Sequence, residues 1–266
     1  MTLRTIIHGT ATGLTALAMA AIGSATTSAM EPSERVPIIV ELFTSEGCSS
    51  CPPADSLLSR LSQTQPFADV LIIPLSQHVD YWDQLGWRDR FSSPQFTERQ
   101  QAYASAFDLP NVYTPQMVID GRAAVVGSLK EEVTAEIRRA YAEPKIPMNL
   151  EATRHSNRHE LQVRIQVKRT TEPSAIASDV WLAITENALV TDVMAGENMF
   201  RRLRHTGVVR HLERLTDIVH NSDGHNIING QVRLSPTWKN NQLRVVAFLQ
   251  DRNSQRVVGA AQTTVD

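Results

Sequence analysis

The sequence has little cysteine and little net charge, and each shortage excludes a class of protein. Only two of its 266 residues are Cys, too few for a disulfide-rich scaffold. The 26 Lys and Arg nearly balance the 28 Asp and Glu, and this net charge of −2 argues against a nucleic-acid binder that depends on overall basicity. No apolar run reaches the roughly 18 residues that a membrane-spanning helix requires. With 42% hydrophobic residues, the chain can form one large or two ordinary globular domains.

Familiar cofactor and hydrolase motifs are also missing. The chain contains no Walker loop and no GxGxxG, HExxH or GxSxG pattern. We therefore predict no cofactor.

Residues 1–29 have the layout of a secretory signal peptide. Arg4 precedes a small-residue, Leu-rich stretch from about Gly13 to Gly23, and a polar small-residue run ends at Ala29. The alternative is an N-terminal helix of the fold. We expect cleavage and a secreted or periplasmic bacterial protein, in a compartment that permits disulfides.

The next part of the chain predicts an α/β domain over residues 36–145. Apolar runs at Val36–Phe43 and Val70–Leu75 indicate buried strands, and the residues between them have helical spacing, so the three elements predict a βαβ unit. Residues 78–108 read as a mostly helical insertion, with Ser92-Ser93-Pro94 as a helix start.

Two more strands and a helix complete this predicted domain. Val112–Ile119 and Ala123–Val126 have strand character, and Asp120-Gly121 between them is a turn signal. Ser128–Tyr141 has apolar residues on one helical face. Pro144 and Pro147 then break the pattern, which places a domain boundary near residue 145.

Residues 146–266 predict a β-rich, sandwich-like domain. Apolar and polar residues alternate from Leu161 to Lys168, which is typical of a half-buried strand. Further strands are predicted at Val180–Ile184, Gln231–Leu234, Leu243–Leu249 and Val257–Ala261, the last two joined as a hairpin.

Cys48-Ser49-Ser50-Cys51 uses both cysteines and lies between a predicted strand and a predicted helix. A helix N-terminus stabilises a thiolate. The first cysteine of such a motif is usually exposed, so we expect Cys48 to be the nucleophile and the more buried Cys51 to resolve the mixed disulfide. Three alternatives stay open: a structural disulfide, half of a zinc site, or a soft-metal site.

Tyr113-Thr114-Pro115 opens a strand that runs into Gly121. A strand, a CxxC motif, a helix, a strand and a later Thr-Pro before an apolar strand together resemble the thioredoxin-like superfamily. The resemblance implies that Pro115 is a cis-proline that faces the disulfide and pairs with the substrate chain, with Thr114 as the residue before it.

Longer stretches of the chain are similar to the secreted family called DUF1223. They are VELFTSEGCSSCPPAD, HVDYWDQLGWRDRFSSPQFTERQQAYA, VYTPQMVIDG and GENMFRRLRHTGVVRHL, which span most of the chain after the signal peptide. The likeness implies a thioredoxin-like domain in an exported protein. Glu46 near Cys48 departs from ordinary thioredoxins, and its charge would raise the pKa of the thiol.

His78, Tyr81 and Trp82 directly follow the second predicted strand. Because the ends of parallel strands face the ligand crevice of an α/β sheet, we predict that they bind substrate beside Cys48, together with Thr114 and Pro115. His78 would shuttle a proton or complete a metal site. The alternative is that the aromatic residues only pack the inserted helices.

The most basic stretch lies in the second half. Arg201–His205 reads as the solvated face of a strand pair, with an anionic partner as the alternative. Met194, Met199, His205 and His211 match no recognised ligand spacing, so we predict no metal site there.

These patterns favour an exported thiol–disulfide oxidoreductase that acts on exported proteins or small-molecule thiols and disulfides. We expect no nucleic-acid partner and no membrane span. Two alternatives stay open: a periplasmic metal-binding protein or metallochaperone that uses Cys48, Cys51 and His78, and a non-catalytic interaction module.

Overall fold

The structure, a computed structural model, describes residues 1–2, 35–155, 159–168, 177–219 and 226–265. The predicted signal peptide falls outside these residues, apart from its first two. The strands are β1 (Val36–Thr44), β2 (Val70–His78), β3 (Gln116–Ile119), β4 (Ala123–Val126), β5 (Met148–His155), β6 (Glu160–Val167), β7 (Ala177–Glu186), β8 (Leu189–Asp192), β9 (Arg202–His205), β10 (Val208–Val219), β11 (Asn226–Arg233), β12 (Leu243–Asp251) and β13 (Val257–Thr264). The helices are α1 (Pro52–Thr64), α2 (Pro94–Ala106) and α3 (Lys130–Tyr141), with a short 3-10 turn at Asn240–Gln242.

Eight strands form one mixed sheet in the order β13-β12-β7-β10-β2-β1-β3-β4. β1 and β2 run parallel, as the βαβ pattern predicts. β10 joins the other edge of β2 in parallel, where Val208 pairs with Ser76. The sheet therefore continues from the first half of the chain into the second.

The predicted fold class, an α/β thioredoxin-like domain followed by a β-rich domain, was wrong. Of the described residues, 44% lie in strands and 19% in helices, so the fold is mostly β, and its large sheet is mixed. The physical reason is the pairing of β10 with β2, which adds antiparallel strands to the parallel pair. All these elements belong to one compact unit, Glu34–Asp266. A folding boundary near residue 145 stays a prediction.

Two hydrophobic clusters show which elements pack on the eight-stranded sheet. The alternating residues of β6 point inward as predicted, and they pack on β7 and β12 as part of a three-stranded sheet in the order β11-β6-β5. α1 and α3 pack on β1, β2 and β3 through a second cluster. No helix among the described residues is long and apolar enough to cross a membrane.

Two local signals are confirmed by the backbone. The side chain of Ser93 accepts a hydrogen bond from the Gln95 N–H and caps α2, which begins at Pro94. Asp120 and Gly121 both have positive φ, 53° and 61°, as a tight hairpin turn between β3 and β4 requires. A Cβ on Gly121 would lie 1.9 Å from the carbonyl oxygen of Gln255, so only glycine fits.

A buried ion pair ties α2 to the sheet. Arg99 Nε donates to Glu41 Oε2 at 2.6 Å, and Arg99 Nη2 donates to Glu41 Oε1 at 3.0 Å. Tyr103 and Gln77 also donate to this carboxylate, and Arg99 Nη1 donates to Gln250 Oε1 in β12. The network thus joins β1, β2 and α2 to a strand from the second half.

Candidate redox site

Cys48 and Cys51 form a disulfide at the N-terminus of α1, with their Cα atoms 5.4 Å apart. Cys51 is the N-cap residue, and Pro52 and Pro53 occupy the first turn, where a missing N–H is tolerated. The prediction that the motif lies between a strand and a helix is therefore confirmed.

Both cysteines are 0% exposed, whereas Ser49 and Ser50 between them are exposed. The expectation of an exposed Cys48 was wrong. A loop from the second half of the chain makes hydrogen bonds to the backbone of the motif.

We call residues Val193–Arg201, between β8 and β9, the cover loop. Its Asn198 is fully buried, and Asn198 Nδ2 donates to the carbonyl oxygens of Glu46, at 2.9 Å, and of Cys48, at 2.8 Å. Glu197 Oε2 accepts the N–H of Ser49 at 3.1 Å. The cover loop thus binds the backbone on both sides of Cys48.

Trp82 connects the motif to the Thr-Pro segment. Its Cβ would lie 3.5 Å from a Cβ placed on Gly47, and its indole N–H donates to Thr114 Oγ1 at 2.8 Å. The Thr114–Pro115 peptide bond is cis. Two of the predicted substrate-binding residues, Trp82 and Thr114, therefore lie together and half-buried beside the motif.

Pro115 and Tyr81, two further residues predicted to bind substrate, make different contacts. The carbonyl of Pro115 accepts the N–H of Gly127, which packs tightly on Ala54 of α1. Pro115 itself is buried. Tyr81 donates its hydroxyl to Gln100 and packs at the edge of a core cluster, as the packing alternative expects.

A cluster of five titratable side chains lies buried where β1 and β2 end. Thr44 and His78 are paired across the two strands, so the residues after them share one edge of the sheet. We call the five residues the buried polar cluster; they are Glu46, Asp55, His78, Asp89 and His205, each at most 8% exposed.

His78 and Asp89 form the best-defined pair of this cluster. His78 Nδ1 lies 2.6 Å from Asp89 Oδ2, which also accepts the N–H of Glu46. Burial opposes ionisation of both groups, but their mutual attraction prevails: the pKa of His78 is raised and that of Asp89 is lowered to about 2. Since His78 is 0% exposed, it does not line an open substrate surface.

Glu46 and His205 form the second pair. Glu46 Oε1 lies 3.3 Å from His205 Nε2, and Glu46 Oε2 accepts the indole N–H of Trp87 at 2.8 Å. The rings of His78 and His205 meet edge to face at 4.9 Å. Among the described residues, Nε2 of His78 and Nδ1 of His205 have no hydrogen-bond partner, and Nε2 of His205 faces Glu46 Oε1 without hydrogen-bond geometry.

Asp55 links this cluster to α1. Its N–H donates to the carbonyl oxygen of Cys51 at 3.1 Å, and its carboxylate accepts the hydroxyl of Thr44. Burial raises the pKa of Asp55, and the nearby His205 and His78 only partly offset this. The cluster can therefore hold protons in the interior next to the disulfide.

Sequence patterns missed Asn198 and His205 as site residues. Both come from the β8–β9 hairpin, far from Cys48 in the chain. The stretch GENMFRRLRHTGVVRHL contains both, but the sequence alone does not show that it lies beside the CxxC motif. The alternation of exposed and buried residues in Arg202–His205 shows a strand with a solvated basic face, as predicted, but it also points His205 inward. Thr206 anchors this end of the hairpin to Ser59 of α1.

Metal binding has no further support in the geometry. Within the described ranges, no group of three or more His, Cys, Asp and Glu side chains is arranged to hold a metal ion.

This chain is similar to solved structures and to one protein family. A crystal structure of a protein from Agrobacterium tumefaciens matches with 27% identity and a TM-score of 0.65, over 88% of this chain and 96% of that one. HBP35 of Porphyromonas gingivalis shares the fold, with a TM-score of 0.63 and 13% identity over 89% of this chain and 77% of that one. No curated protein sequence matches. The family described as "Protein of unknown function (DUF1223)" matches residues 39–250, so the chain belongs to the DUF1223 family.

Proposed function

We propose that the protein is an exported thiol–disulfide oxidoreductase that exchanges its Cys48–Cys51 disulfide with thiols of exported proteins or small molecules. The observation that carries this proposal is the position of the disulfide, at a helix N-terminus and beside buried groups that can hold protons. The thioredoxin-like fold class plays no part in it. Export rests on the signal-peptide layout of residues 1–29.

The exchange runs in two steps that balance. A substrate thiolate attacks Cys48 Sγ, a new S–S bond forms, the Cys48–Cys51 bond breaks, and its electron pair leaves on Cys51 Sγ. A second substrate thiol then attacks the mixed disulfide and releases Cys48 as a thiolate. The protein gains two electrons and two protons, and the substrate leaves as a disulfide; the reverse sequence reduces a substrate.

Two features of the chain favour this chemistry. The dipole at the start of α1 stabilises negative charge on the leaving sulfur. Asp55 lies one helical turn after Cys51, on the same side of α1, and burial raises the pKa of its carboxyl, which favours a role as proton donor to a new thiolate in the interior. His78 would replenish that proton.

The substrate would lie along the half-buried wall of Trp82 and Thr114, with the exposed Ser49 and Ser50 at its edge. Pro115 and Tyr81 would support this wall from within. His78 would act on protons rather than bind substrate.

Disulfide transfer to a polypeptide tests the proposal. We expect that, in a single turnover, either the oxidised protein passes its disulfide to a reduced, unfolded polypeptide with two cysteines, or the reduced protein takes one from the oxidised polypeptide. Mass-tagged alkylation of both partners counts the thiols lost and gained. A Cys48→Ser, Cys51→Ser double variant is the control. No transfer in either direction would contradict the proposal and favour an interaction module with idle cysteines.

A further inference from the structure

The cover loop lies on a disulfide that has no exposed sulfur. Both cysteines are 0% exposed, although the two serines between them reach solvent. Exchange requires the attacking sulfur to approach along the S–S axis. A thiol in solvent therefore cannot reach Cys48 Sγ in this arrangement, and some neighbouring segment must move first.

The cover loop is the neighbour whose contacts converge on Cys48. Asn198 Nδ2 donates both of its hydrogens, to the carbonyl oxygens of Glu46 and Cys48. Its Oδ1 has no hydrogen-bond partner among the described residues. Glu197 holds the Ser49 N–H from the solvent side. These three bonds fix the loop to the backbone of the motif, not to the sulfur atoms.

The cover loop is closed on itself at its base and packs against a neighbouring segment at its tip. Val193 and Arg201 pair across its base, and Gly196 packs against Gly86 and Trp87 at its tip. Met194, Met199 and Phe200 are 64%, 48% and 79% exposed. These large side chains add little buried area, whereas the fully buried Asn198 contributes two of the hydrogen bonds that attach the loop to the motif.

We propose that Asn198 determines which thiols reach Cys48. By holding the cover loop closed, Asn198 keeps the exchange of the disulfide with small thiols slow. Exchange then proceeds only with a polypeptide that displaces the loop. This rests on the proposed function and narrows its substrate class to polypeptides. The chemical step is unchanged: the incoming thiolate bonds to Cys48 Sγ and Cys51 leaves with the electron pair.

The test is the rate at which reduced glutathione opens the disulfide of the folded, oxidised protein. Two glutathione thiols become one glutathione disulfide while Cys48 and Cys51 become thiols, which mass-tagged alkylation counts over time. We expect Asn198→Ala to react at least about tenfold faster than the unmodified protein, which corresponds to about 1.4 kcal/mol. Asn198→Asp keeps the shape but lacks the donors, and we expect a similar increase.

Gln250→Ala is the matched control. Gln250 is also buried and also donates two hydrogen bonds from its amide, to Tyr103 and to the carbonyl of Gln255, but far from the motif. We expect its rate to stay within about twofold of the unmodified protein, with thermal unfolding recorded for every variant.

Two results would overturn the inference: an unchanged rate in both Asn198 variants, or an equal acceleration in Gln250→Ala, which would reflect general loosening. Either can occur while transfer to a polypeptide succeeds. Conversely, a faster Asn198 variant with no transfer to any polypeptide would support the role of Asn198 in closing the cover loop. It would contradict the proposal that the protein is an oxidoreductase. The two proposals therefore fail separately.

Discussion

Replacing Cys51 by serine is expected to abolish disulfide transfer and to trap the partner on Cys48. The remaining Cys48 thiol can still enter a mixed disulfide, but no second sulfur lies beside it to release the partner. With an oxidised polypeptide that has an activated disulfide, we expect a covalent one-to-one complex on a non-reducing gel, dissolved by dithiothreitol.

Cys48→Ser is the matched control for this trap. Its remaining thiol, Cys51, is the N-cap residue of α1 and has the role of the resolving sulfur in the proposed mechanism, so we expect no complex. Equal trapping by both variants would contradict the assignment of Cys48 as the attacked and attacking sulfur. Disulfide transfer by Cys51→Ser would contradict the two-cysteine mechanism itself.

Replacing Glu41 by alanine is expected to destabilise the whole sheet. Glu41 is 0% exposed and is the carboxylate that neutralises Arg99, so its removal leaves a buried guanidinium without a counter-charge. We expect the free energy of unfolding to fall by about 3–5 kcal/mol and Tm by about 6–20 °C. Urea unfolding followed by circular dichroism measures the change in the free energy of unfolding.

Glu213→Ala is the control for this effect. Glu213 also forms an ion pair, with His211, but its side chain is 48% exposed. We expect a change within about 0.5 kcal/mol, since exposed pairs contribute little. A loss below about 1 kcal/mol in Glu41→Ala would show that the Glu41–Arg99 network does not hold the two halves of the sheet together.

Many helices, strands and turns could be predicted because residues next to one another in the sequence determine them. Ala123–Val126 is a strand with the predicted bounds, and the Asp120-Gly121 turn before it depends on two residues that tolerate positive φ. The alternation in β6 reports directly which side chains face the core. The CxxC position followed from the strand and helix on either side of it.

The fold class could not be predicted in this way. Continuous apolar runs in β1 and β2 show that both strands are buried, but not what pairs with the free edge of β2. That edge is filled by β10, and the strand register between them is a single residue pair, Val208 and Ser76, far apart in the chain. No periodicity within either segment encodes this pairing, which joins the antiparallel strands of the second half to the sheet of the first.

The long sequence separation between Cys48 and the β8–β9 hairpin is also the reason why half of the site was not predicted. The placement of β10 brings in the β8–β9 hairpin, and with it Asn198 over the motif and His205 beside Glu46. Glu46 was predicted to act through its charge on Cys48. That effect stays a prediction; in the structure the carboxylate of Glu46 faces Trp87 and His205 within the buried polar cluster.

The reduction potential of the Cys48–Cys51 pair tests the central claim most directly. The protein is equilibrated in glutathione buffers of graded ratio, approached from both the oxidised and the reduced form, and its thiols are counted by mass-tagged alkylation. We expect a reversible two-electron transition between about −120 and −270 mV, the range of exchange catalysts. A pair that stays oxidised below about −300 mV would contradict the claim and identify the disulfide as a structural link.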